Sequence, residues 1–131
     1  RYKKLDKISL LGFAFKGNPP TDDTRDSISI KFYQEIKKKF QKSDISIYDS
    51  LVKNDDYTHF GFKKSHSINE SFKNANIIII LNNHKVFKNL NLNEKSKLMK
   101  SKGIIYDCWN LFDKKKLNLK RNVVYSAFGN I

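Results

Sequence analysis

A chain of 131 residues is one domain of ordinary size, long enough to fold without a metal or disulfide staple, and its single cysteine, Cys108, excludes an intrachain bridge. Hydrophobic residues make up 39% of it, yet the longest unbroken apolar run, residues 77–81, is far too short to cross a bilayer, and the opening residues do not lead into a secretory signal, so a reducing cytoplasm is the expected compartment. Lys and Arg number 26 against 13 Asp and Glu, a formal +13, which directs attention to anionic partners.

Residues 7–14, with Ile8, Leu10, Leu11 and Phe13, read as a first strand, and residues 17–23, with Pro19-Pro20, as a loop. From 27 to 40, Ile28, Phe32, Tyr33, Ile36 and Phe40 recur at helical spacing with Lys37-Lys38-Lys39 opposite, which predicts a helix packed on a sheet. Asp23 and Thr24 are its candidate N-caps. Ile45 and Ile47 alternate with polar residues in a second strand over 44–49, and residues 51–65 read as a loop with a short extended piece. Ser67-Ile68-Asn69-Glu70 has the form of a capping box before a short helix ending near 76. Ile77-Ile78-Ile79-Ile80-Leu81 is apolar on both faces, the pattern of a central parallel strand covered on both sides. Short helices over 86–90 and 93–101 and strands over 103–108 and 123–127 complete the alternation. Together these elements predict a single α/β domain: a Rossmann-like, doubly wound parallel sheet of five to six strands flanked by helices.

Ligands of such sheets bind beyond the carboxyl ends of the strands. The places to read are therefore Phe15-Lys16, Asp49-Ser50, Asn82-Asn83-His84, Trp109-Asn110 and Phe128-Gly129-Asn130. Gly12-Phe13-Ala14-Phe15-Lys16-Gly17 lacks the G-x-G-x-x-G spacing of a dinucleotide turn and the spacing of a P-loop, but Lys16 at a strand end can serve an anion as a point charge. His84 has no partner at ligand spacing, so no metal site is expected. Cys108 follows Asp107, which would raise its pKa, and has no basic neighbour, so it reads as a buried small residue and not a nucleophile. The cationic excess is almost all lysine, with only Arg1, Arg25 and Arg121. Composition bias with solvated lysine faces, Lys37 to Lys39 and Lys114 to Lys116 among them, competes with a polyanion-binding surface. The scarcity of arginine and of any nucleic-acid motif makes nucleic acid the weaker reading.

Leu11-Gly12-Phe13-Ala14-Phe15-Lys16 followed by Thr21-Asp22-Asp23-Thr24-Arg25-Asp26-Ser27 strongly resembles the start of the C-terminal domain of the nucleotide-sugar dehydrogenases, the UDP-glucose, UDP-N-acetylmannosamine and GDP-mannose dehydrogenase family. The likeness continues in order through Tyr48-Asp49, the apolar strand with Asn82 to Phe87, the segment from Ile105 to Asp113, and the closing strand with Gly129. The resemblance implies that residues 1–131 form the UDP-sugar-binding C-terminal domain, with 1–6 a linker remnant, of an enzyme that oxidises a UDP-hexose or UDP-N-acetylhexosamine to its uronic acid for surface polysaccharide synthesis. It implies NAD as cofactor, bound mainly by a separate Rossmann domain, and a catalytic cysteine in a central helical domain, so that this chain alone is inactive and holds no catalytic residue. The complete enzyme is then a cytoplasmic homo-oligomer. Phe15 and Lys16 are implied to line the UDP-sugar site, and Arg25 to reach toward NAD. Trp109 stands in a segment where some members carry a substrate-contacting arginine. The competing expectation is a non-catalytic basic α/β domain that binds nucleic acid or another polyanion.

Overall fold

Four successive isoleucines divide their side chains between two cores. In the computed structural model, which describes residues 6–14, 22 and 27–129, the elements in chain order are β1 (Lys7–Leu11), α1 (Ile28–Lys39), β2 (Asp44–Tyr48), α2 (Asn54–Phe60), α3 (Ile68–Phe72), β3 (Ile77–Ile80), α4 (Lys85–Lys88), α5 (Leu92–Ser96), β4 (Gly103–Asp107) and β5 (Val123–Ala127), with a 3-10 turn at Lys114–Lys116. The sheet has five strands in the order β2-β1-β3-β4-β5, all parallel. The isoleucine strand lies at its centre, with Ile8 to Leu11 paired to Ile77 to Ile80 on one side and Ile104 to Asp107 on the other. Ile79 packs with Ile8, Leu10, Phe13, Ile45 and Ile47 beneath Tyr33 of α1 and Tyr57 of α2. Ile78 and Ile80 pack with Leu11, Phe72, Phe87, Leu92 and Ile105 on the opposite face. Each such buried side chain contributes roughly 1.5 to 3 kcal/mol, so β3 anchors both layers at once.

The doubly wound parallel sheet is as expected, and several boundaries are corrected. β1 stops at Leu11, because Gly12 turns the backbone to a φ of +112° and the next two amides leave the ladder for a side chain. The N-cap of α1 is Ser27, whose Oγ accepts from Ser29 N at 3.1 Å, and not Asp23 or Thr24, which lie outside the described residues. Ser29 and Tyr33 are the buried residues of that helix, while Ile28 and Phe40, expected on its apolar face, are exposed. The segment read as a loop over 51–65 contains α2, which has no side-chain N-cap and ends on Gly61 in the left-handed region at φ +69°. An isolated bridge joins Lys64 to Ile47 after it. The helices predicted over 86–90 and 93–101 are shorter, at Lys85–Lys88 and Leu92–Ser96.

The short helix α3 is fixed at both ends. Ser67 Oγ accepts from Glu70 N at 3.0 Å, and the Glu70 carboxylate returns to His66 N, one residue before the position that the capping box predicts. The hydrogen bond from His66 holds the Glu70 carboxyl below its ordinary pKa. At the other end Lys7 Nζ donates to Glu70 O at 2.5 Å and Lys73 O at 2.8 Å, supplying donors for carbonyls that the helix leaves unpaired. Burial lowers the Lys7 pKa.

The two faces of the sheet are covered unequally. Ile105, Val123, Tyr125 and Ala127 are buried on the α5 side, whereas Ile104 and Val124, paired side by side on the α1 side, are 43% and 57% exposed. Among the described residues no helix lies over them. The capping geometry gives a direct test: Ser67→Ala should lower stability by about 1 kcal/mol in urea denaturation, with the dependence on denaturant unchanged.

Candidate functional site

The chain leaves β1 for β2 in one direction and runs from β3 to β5 in the other, so the loops after β1 and β3 part at a topological switch point. Gly12 lets the two exits approach. A Cβ at this position would stand 2.7 Å from Asn82 Cγ, closer than a side chain tolerates, and the φ of +112° also favours glycine. Directly after it, Phe13 N and Ala14 N donate to Asp49 Oδ2 at 3.0 and 3.1 Å. Leu51 N donates to Asp49 Oδ1 at 3.0 Å, and Asn82 Nδ2 donates to Oδ2 at 3.4 Å. Asp49 is only 3% exposed, so its carboxyl group is buried and held by the exits of β1, β2 and β3. The carbonyls of the same turn are also used: Ser29 Oγ donates to Gly12 O at 2.7 Å and Ser27 Oγ to Phe13 O at 2.6 Å.

This geometry bears on a dinucleotide. In a turn that binds pyrophosphate, backbone N–H groups after the first strand point at the phosphates. Here two of those N–H groups are already donated to Asp49, and the glycine spacing is absent. The Phe13 and Ala14 amides are therefore not available to an NAD pyrophosphate.

The second group of strand exits is organised by Asp107, which is fully buried. Its Oδ1 accepts from Trp109 N at 2.9 Å, and its Oδ2 accepts from Leu111 N at 2.6 Å and the Tyr125 hydroxyl at 2.8 Å. Burial, and then the Asp107 carboxylate, raise the Tyr125 pKa. Trp109 Nε1 donates to Leu81 O at 2.9 Å, which fixes the indole beside the exit of β3, and the residue is 44% exposed. His84 has a structural role: its Nδ1 accepts from Val86 N at 3.0 Å as the N-cap of α4, and its own N donates to Asn82 Oδ1 at 3.1 Å. Among the described residues no three His, Cys, Asp or Glu side chains come together as a metal site.

Of the residues singled out in the sequence, Phe15, Lys16 and Arg25 lie outside the described residues, and Trp109 is placed at the crest of β4 beside β3. Cys108 is half-buried, not buried, because it belongs to the partly open side of β4. Its thiol pKa is pushed up to about 11, by burial first and by Asp107 second. Both lysine triplets are exposed. The roles of Asp49, Asn82 and Asp107 went unread in the sequence, where the only cue was a polar residue at the end of each apolar strand.

Residues 9–114 match the UDP-glucose/GDP-mannose dehydrogenase family, UDP binding domain. The chain is similar to the UDP-N-acetyl-D-mannosamine dehydrogenase of Pyrococcus horikoshii, at 34% identity over 98 residues that cover 75% of this chain and 20% of the relative. It is 32% identical over 102 residues to the enzyme of the same name from Methanococcus vannielii, covering 76% and 22%. Among solved structures, the NDP-N-acetyl-D-galactosaminuronic acid dehydrogenase of Methanosarcina mazei Go1 superposes with a TM-score of 0.78 at 26% identity, over 98% of this chain and 26% of that one. The chain thus spans about a fifth of the length of the curated relatives it matches.

The environment of Cys108 predicts its reactivity. With the pKa near 11, the thiol stays protonated at pH 8, so alkylation of the folded chain by iodoacetamide should run about two powers of ten slower than for an ordinary cysteine of pKa about 8.5. The rate should climb with pH toward 11 and rise sharply when urea unfolds the chain. Equal rates in the folded and unfolded chain at pH 8 would refute this placement.

Proposed function

The chain belongs to the UDP-glucose/GDP-mannose dehydrogenase family, whose UDP binding domain it carries, and on that premise we propose that it binds the nucleotide end of a UDP-sugar as part of an NAD-dependent nucleotide-sugar dehydrogenase. The observation that carries this reading is that the match runs from residue 9 to residue 114 and so takes in the exits of β1, β2, β3 and β4, where ligands of parallel sheets bind. In this reading Lys16 places a positive charge on the diphosphate, and Phe15 lines the same site. Trp109, held at its Nε1 and partly exposed, offers a flat apolar surface to the substrate.

The complete enzyme oxidises a UDP-hexose or UDP-N-acetylhexosamine to its uronic acid, in the cytoplasm and as a homo-oligomer. NAD and the catalytic cysteine are assigned to other parts of that enzyme, with Arg25 the residue of this chain that reaches toward NAD. The use of the Phe13 and Ala14 amides by Asp49 is in keeping with that division. The isolated chain then binds its ligand without turning it over. The rival reading, a polyanion-binding domain, draws on the formal charge of +13.

Calorimetric titration at fixed salt, repeated across a salt series, separates the two. The UDP-sugar reading expects saturable UDP binding that exceeds GDP binding, and a loss of one to two powers of ten in UDP affinity for Lys16→Ala, the equivalent of roughly 1.5 to 3 kcal/mol for a charge-assisted contact. Lys38→Ala should be silent, because Lys38 is exposed and its ion pair among the described residues is with the equally exposed Glu35 at 3.6 Å. Equal small effects of the two substitutions, with RNA and UDP binding falling alike and steeply with salt, would decide for the polyanion.

A further inference from the structure

Asp49 performs inside the protein the task that a bound phosphate performs in a dinucleotide turn: it takes two successive backbone amides after the first strand. It also does something that a ligand in that turn does not do, because the same oxygen receives Asn82 Nδ2 from the exit of β3 and the other oxygen receives Leu51 N from the exit of β2. Asn82 is buried as deeply, and its remaining polar atom accepts from His84 N. Its side chain fills the space over Gly12 that a Cβ would otherwise take. One carboxylate and one amide therefore hold both walls of the crevice at the switch point. Tyr57 supports the pair from below, donating its hydroxyl to Asp49 O at 3.3 Å.

We propose that Asp49 is the positioning residue of the nucleotide site: by holding the Phe13 and Ala14 amides and the Asn82 side chain together, it fixes the exits of β1 and β3 in the spacing that receives the uridine nucleotide. This rests on the reading of that crevice as the UDP-sugar site. Asp49 acts through the backbone it holds and contacts the ligand itself at no point. A side chain that keeps an acceptor at the Oδ2 position preserves this function, whereas one that removes it leaves two buried N–H groups without a partner and frees the two walls from each other.

The test is the affinity of the chain for UDP, measured by calorimetry on folded protein, alongside the melting temperature. Asp49→Ala should weaken UDP binding tenfold or more. Asp49→Asn retains an oxygen for the Phe13 and Ala14 amides and should stay within about threefold of the parent. Asn82→Ala removes the second support and should weaken binding several-fold, and it carries the test if Asp49→Ala does not fold. Asn76→Ala provides the comparison at the far edge of the sheet, where Asn76 Oδ1 accepts from Asp6 N and Lys7 N at 3.0 Å each. It should lower the melting temperature while leaving UDP affinity unchanged, a separation that a purely structural role for Asp49 would not produce. Folded Asp49→Ala or Asn82→Ala binding UDP within twofold of the parent would overturn the proposal and leave the site assignment standing. A parent chain that binds no uridine nucleotide would overturn the site assignment itself, and this proposal with it.

Discussion

The carboxyl edge of this domain depends on the close approach of Gly12 to Asn82. The β1–β3 ladder pairs Leu11 with Ile80 and extends one further bond, from Leu81 N to Leu11 O at 2.8 Å, before the two chains part. At that point the absence of a side chain on residue 12 lets the Asn82 amide lie over the strand end and reach the carboxylate of β2. A larger residue would separate the exits and leave Asp49 with donors from two strands and not three. The cost of burying so much polar structure is offset because it is paired: among the described residues no buried side-chain nitrogen or oxygen lacks a hydrogen-bond partner.

Most of the sheet was legible because its signals are periodic and local. The isoleucine run announced a strand covered on both faces, and the alternation of Ile45 and Ile47 announced its neighbour two places away. α2 was hidden because Tyr57 and Phe60 supply too few apolar residues for a period, and its N-cap Lys53 offers no side-chain acceptor. The glycine at its end and the acids of its first turn were its only markers. Ile28 misled for a related reason. It fits the helical spacing, but Ser29 takes the inward position because its hydroxyl is needed by Gly12 O. Nothing in the order of residues marks Asp49 as the partner of amides 36 and 35 positions earlier; that relation exists only once β1 and β2 lie side by side.

The family assignment and the geometry meet at the segment after β4. Asp107 holds the backbone at Trp109 and Leu111 through two amides and is itself fixed by the Tyr125 hydroxyl. The loop is thus shaped by groups other than the side chain at 109, which leaves that position open to a ring or a charge without rebuilding its support. A scaffold fixed from below and variable at its crest can change its surface chemistry without changing its fold.

Ile104, Val124 and Phe128 are exposed among the described residues and offer apolar surface to other copies of the chain. Like charge keeps copies apart, since a formal +13 on 131 residues acts over about 10 Å at 0.1 M salt and over about 3 Å at 1 M. Apolar attraction between two such faces does not fade in the same way, and excluded anions such as sulfate strengthen it. Repulsion between the lysine-rich surfaces thus opposes that attraction, and added salt weakens the repulsion first.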